Sequence, residues 1–309
     1  MDADATARLL CVGDIDMDLI VRVPAPPSRD GKVDGRRIAQ TPGGMAANVA
    51  VAARRLGTRT RLLGAVGDDA LGREALAALT SEGLDLSHVA TRHGEATFFC
   101  VILVDDEGEK SLVKVMSPAF LPRADEIMAA AFAGVAHVHL TVARADPGLA
   151  VAAMARAAGA TLSLDLEAAD LPADLPQGGG ALADLLASVD LLFVSDRSRA
   201  AVEPVLGPLT SEGRAVITTR GRQGAMLERS GTRTQIPGHR VPVTDTSGAG
   251  DAFAGAFLSA MLDGADDATA LCRANAAAAL STRAYGAQAG APTAAEMAAF
   301  LDVDGVRDA

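Results

Sequence analysis

Several residue types that mark particular protein classes are scarce or missing in this chain of 309 residues. Trp is absent, Tyr occurs once and aromatic residues make up 3% of the sequence, which leaves little material for an apolar slot around a nucleobase. The three cysteines, Cys11, Cys100 and Cys272, are odd in number, far apart and without a CxxC spacing, so they predict neither a disulfide framework nor a zinc site. No segment approaches the ~18 apolar residues that a membrane-spanning helix requires.

Positively charged residues are also fewer than negatively charged ones. Lys and Arg number 28 against 39 Asp and Glu, which gives a net charge of −11. An acidic surface repels nucleic-acid phosphates and anionic lipids, so nucleic acid and membranes are disfavoured as partners and a small solute is favoured. The acidic amino terminus, MDADATAR, is the reverse of a secretory leader, and we expect a cytoplasmic protein.

Three motifs of nucleotide and metal chemistry are missing as well. The chain has no GxxxxGKS/T loop, and Gly13-Asp14-Ile15-Asp16 follows the first predicted strand where a dinucleotide-binding protein would have GxGxxG. None of the five histidines forms an HExxH motif. His137 and His139 lie on an apolar predicted strand, and we interpret them as buried core imidazoles.

Short apolar runs alternate with Ala-rich runs along most of the chain, and 49% of the residues are hydrophobic. The apolar runs predict strands, and the Ala-rich runs between them have apolar residues at helical spacing. This alternation is typical of an α/β fold with a doubly wound, mostly parallel sheet and helices on both faces. The predicted strands of this sheet are Leu9–Val12, Arg61–Val66, Val135–Leu140, Thr161–Asp165, Asp190–Val194 and Ala215–Thr219.

Two regions break the alternation and read as hairpins of strand, turn and strand. They fall within Met17–Thr41 and Thr91–Met116, where polar and apolar residues partly alternate. We expect them to meet as a small antiparallel β-sheet lid over the strand ends, inserted in a single domain that spans residues 1–309.

A glycine-rich segment near the carboxyl end carries chemistry. After a predicted strand that ends at Val243, Gly248-Ala249-Gly250-Asp251 opens an apolar helix. The free N–H groups of a helix start bind anions, and glycine lets a phosphate approach the backbone. A carboxylate such as Asp251 in the first turn can take a proton from a hydroxyl beside the anion, so the segment suggests phosphoryl transfer. The alternative is that Gly248 and Gly250 serve only tight packing.

Two longer segments, in the expected order, resemble the signatures of the PfkB/ribokinase family of sugar and nucleoside kinases. Residues 245–251 read DTSGAGD and residues 43–52 read GGMAANVAVA. Residues 66–69 (VGDD) and 219–224 (TRGRQG) lie where that family has related segments, and the resemblance covers nearly the whole chain. It implies a ribokinase-like fold and an ATP-dependent, Mg2+-requiring kinase that phosphorylates a hydroxyl of a sugar or sugar derivative.

The resemblance also implies roles for individual positions. Asp251 would be the catalytic base, and Gly248, Ala249 and Gly250 the anion hole. Asp245, with the loop Arg283–Gly286, would hold a monovalent cation such as K+. Paired carboxylates and amides suit a ring of hydroxyls, and the implied sugar-binding residues are Asp16, Asp18, Gly43, Gly44 and Asn48. The implied ATP-binding residues are Ser195, Thr219, Gly221, Gly224 and Asn275.

The chain departs from the family pattern after the strand that ends at Val194. Many members have Asn-x-x-Glu there to organise Mg2+, whereas this chain reads Ser195-Asp196-Arg197-Ser198. Either Asp196 takes over that role, or the protein binds its ligands without turnover.

A second departure concerns the substrate. Met45 replaces the lysine that pentose-binding members tend to have, so ribose itself is not the expected acceptor. Lys114 on the second hairpin and Arg144 after a strand could pair with an anionic substituent, or both could be surface charges. Residues 193–196, which read FVSD, together with Ser117-Pro118 and Arg144 resemble the sulfofructose kinase branch of the family.

Two other functions stay open on sequence grounds. One is a non-catalytic sensor of sugar or nucleotide with the kinase fold, and the other is a nucleoside kinase, for which the chain offers few aromatic residues. Edge strands on the lid also make a homodimer through the lid plausible.

Overall fold

The computed structural model describes residues 7–141, 145–167, 180–211 and 213–303. Arg144, one of the two predicted cations, lies outside these residues. The described helices are α1 (Met45–Arg55), α2 (Ala70–Ser81), α3 (Ala145–Ala157), α4 (Ala181–Ser188), α5 (Asp196–Ser211), α6 (Ala249–Leu262), α7 (Asp267–Ser281) and α8 (Ala294–Val303).

A nine-stranded sheet forms the centre of the fold, in the strand order β13-β12-β11-β10-β9-β8-β1-β4-β5. Its neighbours from β11 to β5 pair in parallel, while β12 and β13 add an antiparallel hairpin at one edge. The predicted α/β class with a mostly parallel sheet is therefore confirmed. The strands are β1 (Leu9–Val12), β4 (Thr60–Gly67), β5 (Asp85–Arg92), β8 (His137–Leu140), β9 (Thr161–Leu166), β10 (Leu191–Ser195), β11 (Ala215–Thr219), β12 (Ala225–Arg229) and β13 (Thr232–Ile236).

Helices cover both faces of this sheet. Side chains alternate across a strand, so Leu9 and Cys11 of β1 pack with α1, α2, α6 and α7, whereas Leu10 and Val12 pack with α3, α4 and α5. Residues at every position of β1 are thus buried, which explains its continuous apolar sequence. In the part of the chain that the structure describes, no helix is both long and apolar enough to cross a membrane.

A separate four-stranded sheet, called the small sheet below, has the order β3-β2-β6-β7. The predicted hairpins are present, but the prediction of an antiparallel sheet is wrong at its centre, since β2 and β6 pair in parallel. The two hairpins join through their first strands, which enter the sheet in the same direction. The strands are β2 (Asp16–Arg22), β3 (Arg36–Gly43), β6 (Phe99–Val104) and β7 (Lys110–Val115).

The strand predicted to end at Val243 is not formed. Residues 237–243 have no regular structure, and Val243 is exposed. The N–H groups of Thr244 and Asp245 both donate to the carbonyl of Thr282 instead of to a neighbouring strand. The segment before α6 is therefore a loop fixed to the end of α7.

The interpretation of the two histidines of β8 agrees with the structure. His137 and His139 are buried, and each contacts the hydroxyl of Ser163 at 2.7 Å. Burial lowers the pKa of both imidazoles to about 3, so both are neutral.

Candidate active site

A cavity of about 630 Å³ lies where the carboxyl ends of several parallel strands meet the small sheet and the amino-terminal ends of α1 and α6. Open α/β sheets bind ligands at this edge. The cavity is lined by Asp14 after β1, Asp165 of β9, Ser195 of β10 and Thr219 of β11. Each of these polar groups follows or ends a buried strand, so the sheet itself brings them together.

One row of side chains crosses the small sheet and faces this cavity. The strand register aligns Thr41, Asp18, Cys100 and Lys114 across all four strands. Residues aligned in this way project from the same face of a sheet, and Asp18, Cys100 and Lys114 all line the cavity. Lys114 is therefore placed among the predicted sugar-binding carboxylates.

The carboxylates at this end of the cavity are close together and buried. Atoms of Asp16, Asp18 and Cys100 lie within 4.8 Å of one another, and Oδ1 of Asp16 has no hydrogen-bond partner among the described residues. Burial, and then the neighbouring carboxylates of Asp18 and Asp14, raise the pKa of Asp16 well above its usual range. Burial, with Asp245 and Asp14, raises the pKa of Asp18 to about 6. A ligand that offers hydroxyl donors would satisfy these oxygens.

The absence of side chains at Gly43 and Gly44 is important beside this carboxylate cluster. A Cβ on Gly43 would lie 2.3 Å from Oδ1 of Asp16, so a side chain there would displace the carboxylate. Gly44 precedes α1 with a φ of 93°, which an L-residue rarely adopts. The signature glycines at these positions are thus required for space and conformation.

The two glycines before Asp251, Gly248 and Gly250, differ in the space around them. Gly248 caps α6 with a φ of 72°, and a Cβ there would lie 2.5 Å from the Cβ of Ala287. A Cβ on Gly250 would meet no atom within 4 Å, although Gly250 lines the cavity. Gly248 is therefore needed by the fold, whereas the open space at Gly250 is available to a ligand.

Asp251 is buried in the first turn of α6 and belongs to a chain of hydrogen bonds. Its Oδ2 accepts from Nδ2 of Asn48 at 2.7 Å, and Oδ1 of Asn48 accepts from Nε2 of Gln288 at 3.0 Å. Burial raises the pKa of Asp251 well above its usual range. The hydrogen bond from Asn48 lowers this pKa, whereas the charge of Asp165 raises it further. Asn48 thus presents one carboxylate oxygen in a fixed direction.

The predicted ATP-binding residues divide into two groups. Ser195 and Thr219 line the cavity, whereas Gly221, Gly224 and Asn275 do not. Nδ2 of Asn275 donates to the carbonyls of Ile236 and Pro237, and a Cβ on Gly224 would lie 2.1 Å from the carbonyl oxygen of Ile236. Asn275 and Gly224 therefore hold the chain that follows β13.

Neither predicted metal ligand lies in the cavity. Asp196 is exposed at the start of α5, and its carboxylate lies 3.7 Å from Nε of Arg220. Asp245 is buried and accepts from the N–H groups of Ser247 and Gly286 and from Nζ of Lys110. The cavity has other carboxylates, Asp165 and Glu167 at the end of β9, which add to the raised pKa of Asp251.

Several of these groups are not found by sequence reasoning. Lys110 could have been found, since Lys110, Leu112 and Lys114 alternate on one face of β7. Asp165, Glu167 and Gln288 stand in no motif, and only the folded chain brings them near Asp251 or Asn48. Arg197 lies where the family has Asn-x-x-Glu, but only the fold shows that it lines the cavity.

A second, larger cavity of about 790 Å³ lies between α6, α7 and α8. Seven of its eleven lining residues are apolar, and its charged residues are Asp263, Arg273 and Asp302. The amino-terminal ends of α1 and α6 and the carboxylates of Asp14, Asp16, Asp18 and Asp251 line the first cavity and not this one. We therefore take the first cavity as the candidate active site.

Comparison with known proteins bears on this site. Residues 6–294 match the model of a family described as pfkB family carbohydrate kinase. The chain is 36% identical over 297 residues to the ATP-dependent ribose-1-phosphate kinase of Halopiger xanaduensis, covering 95% of this chain and 98% of that protein.

Solved structures share the fold at lower identity. A ribokinase of Arabidopsis thaliana complexed with ribose and ATP superposes with a TM-score of 0.81 at 24% identity, over 96% of this chain and 99% of that one. A candidate ribokinase II of E. coli in complex with ATP and Mg2+ gives a TM-score of 0.84 at 22% identity, over 96% and 100% of the two chains. These neighbours support the predicted ribokinase-like fold.

Proposed function

Since the chain belongs to the pfkB family of carbohydrate kinases, we propose that it transfers the terminal phosphoryl group of ATP to a hydroxyl of a sugar that already carries an anionic group. One observation carries this proposal. A single cavity contains the carboxylates of Asp16 and Asp18, the ammonium of Lys114, and Asp251 beside the glycines that open α6.

Asp251 acts as the general base. Its carboxylate is buried in the cavity wall with one oxygen held by Asn48, so the other oxygen is available to an acceptor hydroxyl. Burial makes the carboxylate a better proton acceptor than an exposed aspartate, because it raises the pKa of Asp251 well above its usual range. The first turn of α6 also favours the ionised form that must exist before the proton is taken.

Gly248, Ala249 and Gly250 form the anion hole. The N–H groups at a helix start have no intrahelical acceptor, and those of α6 open onto the same cavity as Asp251. The open space around Gly250 lets a phosphoryl oxygen approach the backbone closely. Charge that develops during transfer would meet donors that are already oriented.

The sugar binds between the small sheet and α1. Oδ1 of Asp16 is buried without a partner among the described residues, and a sugar hydroxyl would supply the missing donor. Asp18 and Asn48 line the same end of the cavity. We propose that the small sheet acts as a lid there, which would keep water from the transferred phosphoryl group.

The anionic substituent of the sugar pairs with Lys114. Lys114 is the cation that the register of the small sheet aligns with Asp18, and Arg197 lines the cavity at the start of α5. The relative from Halopiger acts on ribose 1-phosphate, a sugar of this class. We propose a ribose 1-phosphate-like acceptor rather than ribose itself.

Residues at the ends of β9, β10 and β11 hold ATP and Mg2+. Ser195 and Thr219 line the cavity beside the carboxylates of Asp165 and Glu167, and hard oxygen ligands suit Mg2+. Mg2+ bound with ATP would offset the charge of the phosphates. Asp165 and Glu167 replace Asp196 in this proposal, because Asp196 faces Arg220 outside the cavity.

The decisive experiment follows ADP release with Mg·ATP and either ribose 1-phosphate or ribose, in the wild type and in Asp251→Asn. We expect turnover with the phosphorylated sugar and a loss of roughly 10²–10⁴-fold in kcat in the variant, with ligand binding retained. Asp263→Asn, at the exposed carboxyl end of the same helix, is the matched control. A wild type that binds both ligands without turnover would favour the non-catalytic sensor.

Lys114→Met tests the substrate class. The KM for ribose 1-phosphate should rise about tenfold or more while any turnover of neutral sugars is unchanged, since one ion pair is lost. Lys32→Met, an exposed lysine between β2 and β3, is the control. Equal effects on phosphorylated and neutral sugars would contradict the role of Lys114, and turnover of nucleosides alone would favour the nucleoside kinase.

We also propose a homodimer through the small sheet. β7 is an edge strand of that sheet, and Leu112, Val113 and Met116 are exposed apolar residues on or beside it. A second copy that pairs along this edge would cover them. Sedimentation of the purified protein as a monomer would contradict this. A cytoplasmic location stays a prediction.

A further inference from the structure

Lys110 reaches from the small sheet to the loop that precedes the anion hole. Its Nζ donates to Oδ1 of Asp245, to Oγ of Ser247 at 3.0 Å and to Oγ1 of Thr246 at 3.4 Å. An ammonium has three donors, so these three oxygens saturate it. The side chain of Lys110 is 29% exposed and that of Asp245 only 4%, so the pair is largely shielded from water.

The carboxylate of Asp245 is fully engaged. Besides Lys110, its Oδ1 accepts from the N–H of Ser247 at 2.8 Å, and its Oδ2 accepts from the N–H of Gly286 at 2.9 Å. Although burial raises the pKa of Asp245, Lys110 and these N–H groups hold it below its usual range, so the residue is ionised. Asp245 therefore joins three separate segments: β7, the start of the loop before α6, and the loop after α7.

This arrangement does not fit the monovalent cation that the family resemblance implies at Asp245 and residues 283–286. A bound cation would need oxygen ligands at this position, and the carboxylate oxygen that would balance its charge already holds an ammonium. Two positive charges at one shielded carboxylate repel each other strongly. The residues present thus provide the charge that such an ion would supply.

We infer that Lys110 replaces a monovalent cation in this protein and orders the loop before the anion hole, so that turnover does not depend on K+. The inference rests on the proposed kinase function. Lys110 is a positioning residue, because it contacts the loop that ends at Gly248 and not the reacting groups. Since Lys110 belongs to β7, the same contact ties the small sheet to the anion hole.

The experiment compares the wild type with Lys110→Met at constant ionic strength in potassium, ammonium or tetramethylammonium chloride. For the wild type we expect kcat to differ by less than about twofold among the three salts. For Lys110→Met we expect a loss of about tenfold or more in tetramethylammonium and recovery in K+ or NH4+, which can occupy the vacated position. Lys32→Met should behave like the wild type in all three salts.

Thermal unfolding gives a readout that needs no turnover. K+ should raise the Tm of Lys110→Met relative to tetramethylammonium, and it should leave the Tm of the wild type unchanged. This separates the inference from the proposed function, because the shift is expected even if the substrate has been misassigned. If Lys110→Met does not fold, Lys110→Gln serves for both measurements.

Three results would overturn the inference. One is clear K+ activation of the wild type. Another is a folded Lys110→Met variant that is fully active in tetramethylammonium. The last is a folded, impaired variant whose activity and Tm respond to no cation, since the loss of the positive charge of Lys110 would then not explain the loss of activity.

Discussion

Nδ2 of Asn48 donates a hydrogen bond of 2.7 Å to Oδ2 of Asp251, although the two residues are 203 positions apart in the sequence. The contact is possible because α1 and α6 pack closely. A Cβ on Gly255 of α6 would lie 2.7 Å from the Cβ of Ala52 of α1, so only glycine permits this approach. The two signature segments of the sequence therefore meet in one hydrogen bond.

Asn48→Leu tests this contact through the pH dependence of the reaction. The hydrogen bond lowers the pKa of Asp251, and its loss raises that pKa further. Because the base must be ionised, the acidic limb of the profile of kcat/KM against pH should move to higher pH, and kcat should fall about tenfold or more. The measurement is that profile for both proteins. A lower rate with no shift in the acidic limb of the pH profile would mean that Asn48 only shapes the cavity.

Gly250→Ala and Gly248→Ala form a matched pair two residues apart. At Gly250 the new methyl group enters open space, and Ala is favoured over Gly within a helix by about 1 kcal/mol, so Tm should stay or rise while turnover falls. At Gly248 the positive φ and the overlap with Ala287 should cost about 1–2 kcal/mol or more. Thermal unfolding and ADP-release assays distinguish the two. A fully active Gly250→Ala would refute the anion hole at that position.

Asp18→Asn should stabilise the ligand-free protein at high pH. The folded-state pKa of Asp18 is raised from 3.8 to about 6, so its ionisation costs stability as pH rises through this interval. The difference of about two pKa units corresponds to about 3 kcal/mol of stability. The variant gains this stability at pH 8 and does not gain it below about pH 3, where Asp18 is protonated in both the folded and the unfolded state. Asp34→Asn, an exposed acid between β2 and β3, is the control. A pH-independent change in Tm would contradict the argument.

The sequence predicts the parts of the site that depend on local chemistry. The loop and first turn of α6 are predicted because a helix start with glycines and an aspartate is a local pattern, and Lys114 because the second hairpin is predicted to lie over the strand ends. Asp165 and Glu167 could not be identified in this way. They lie at the end of β9, and what brings them to Asp251 is the order of strands in the sheet.

The same limit applies to the small sheet and to Asp245. Alternation predicts each hairpin, but it does not say how two hairpins join, and β2 and β6 pair in parallel. The resemblance points to an ion at Asp245, whereas the structure places Lys110 there. Both outcomes depend on contacts between segments far apart in the chain, which no local pattern encodes.

The parallel pairing of β2 with β6 has a consequence for the order of folding. The chain between these strands contains β3, α1, β4, α2 and β5, and four of these elements, α1, β4, α2 and β5, belong to the layers of the large sheet. Closing so long a loop lowers the conformational entropy of the chain, so the pairing of β2 with β6 is slow when no other part of the fold has formed. We therefore expect β6 and β7 to dock after β1, β4 and β5 have assembled. In pulsed hydrogen exchange during refolding, amides of β6 should gain protection later than those of β4.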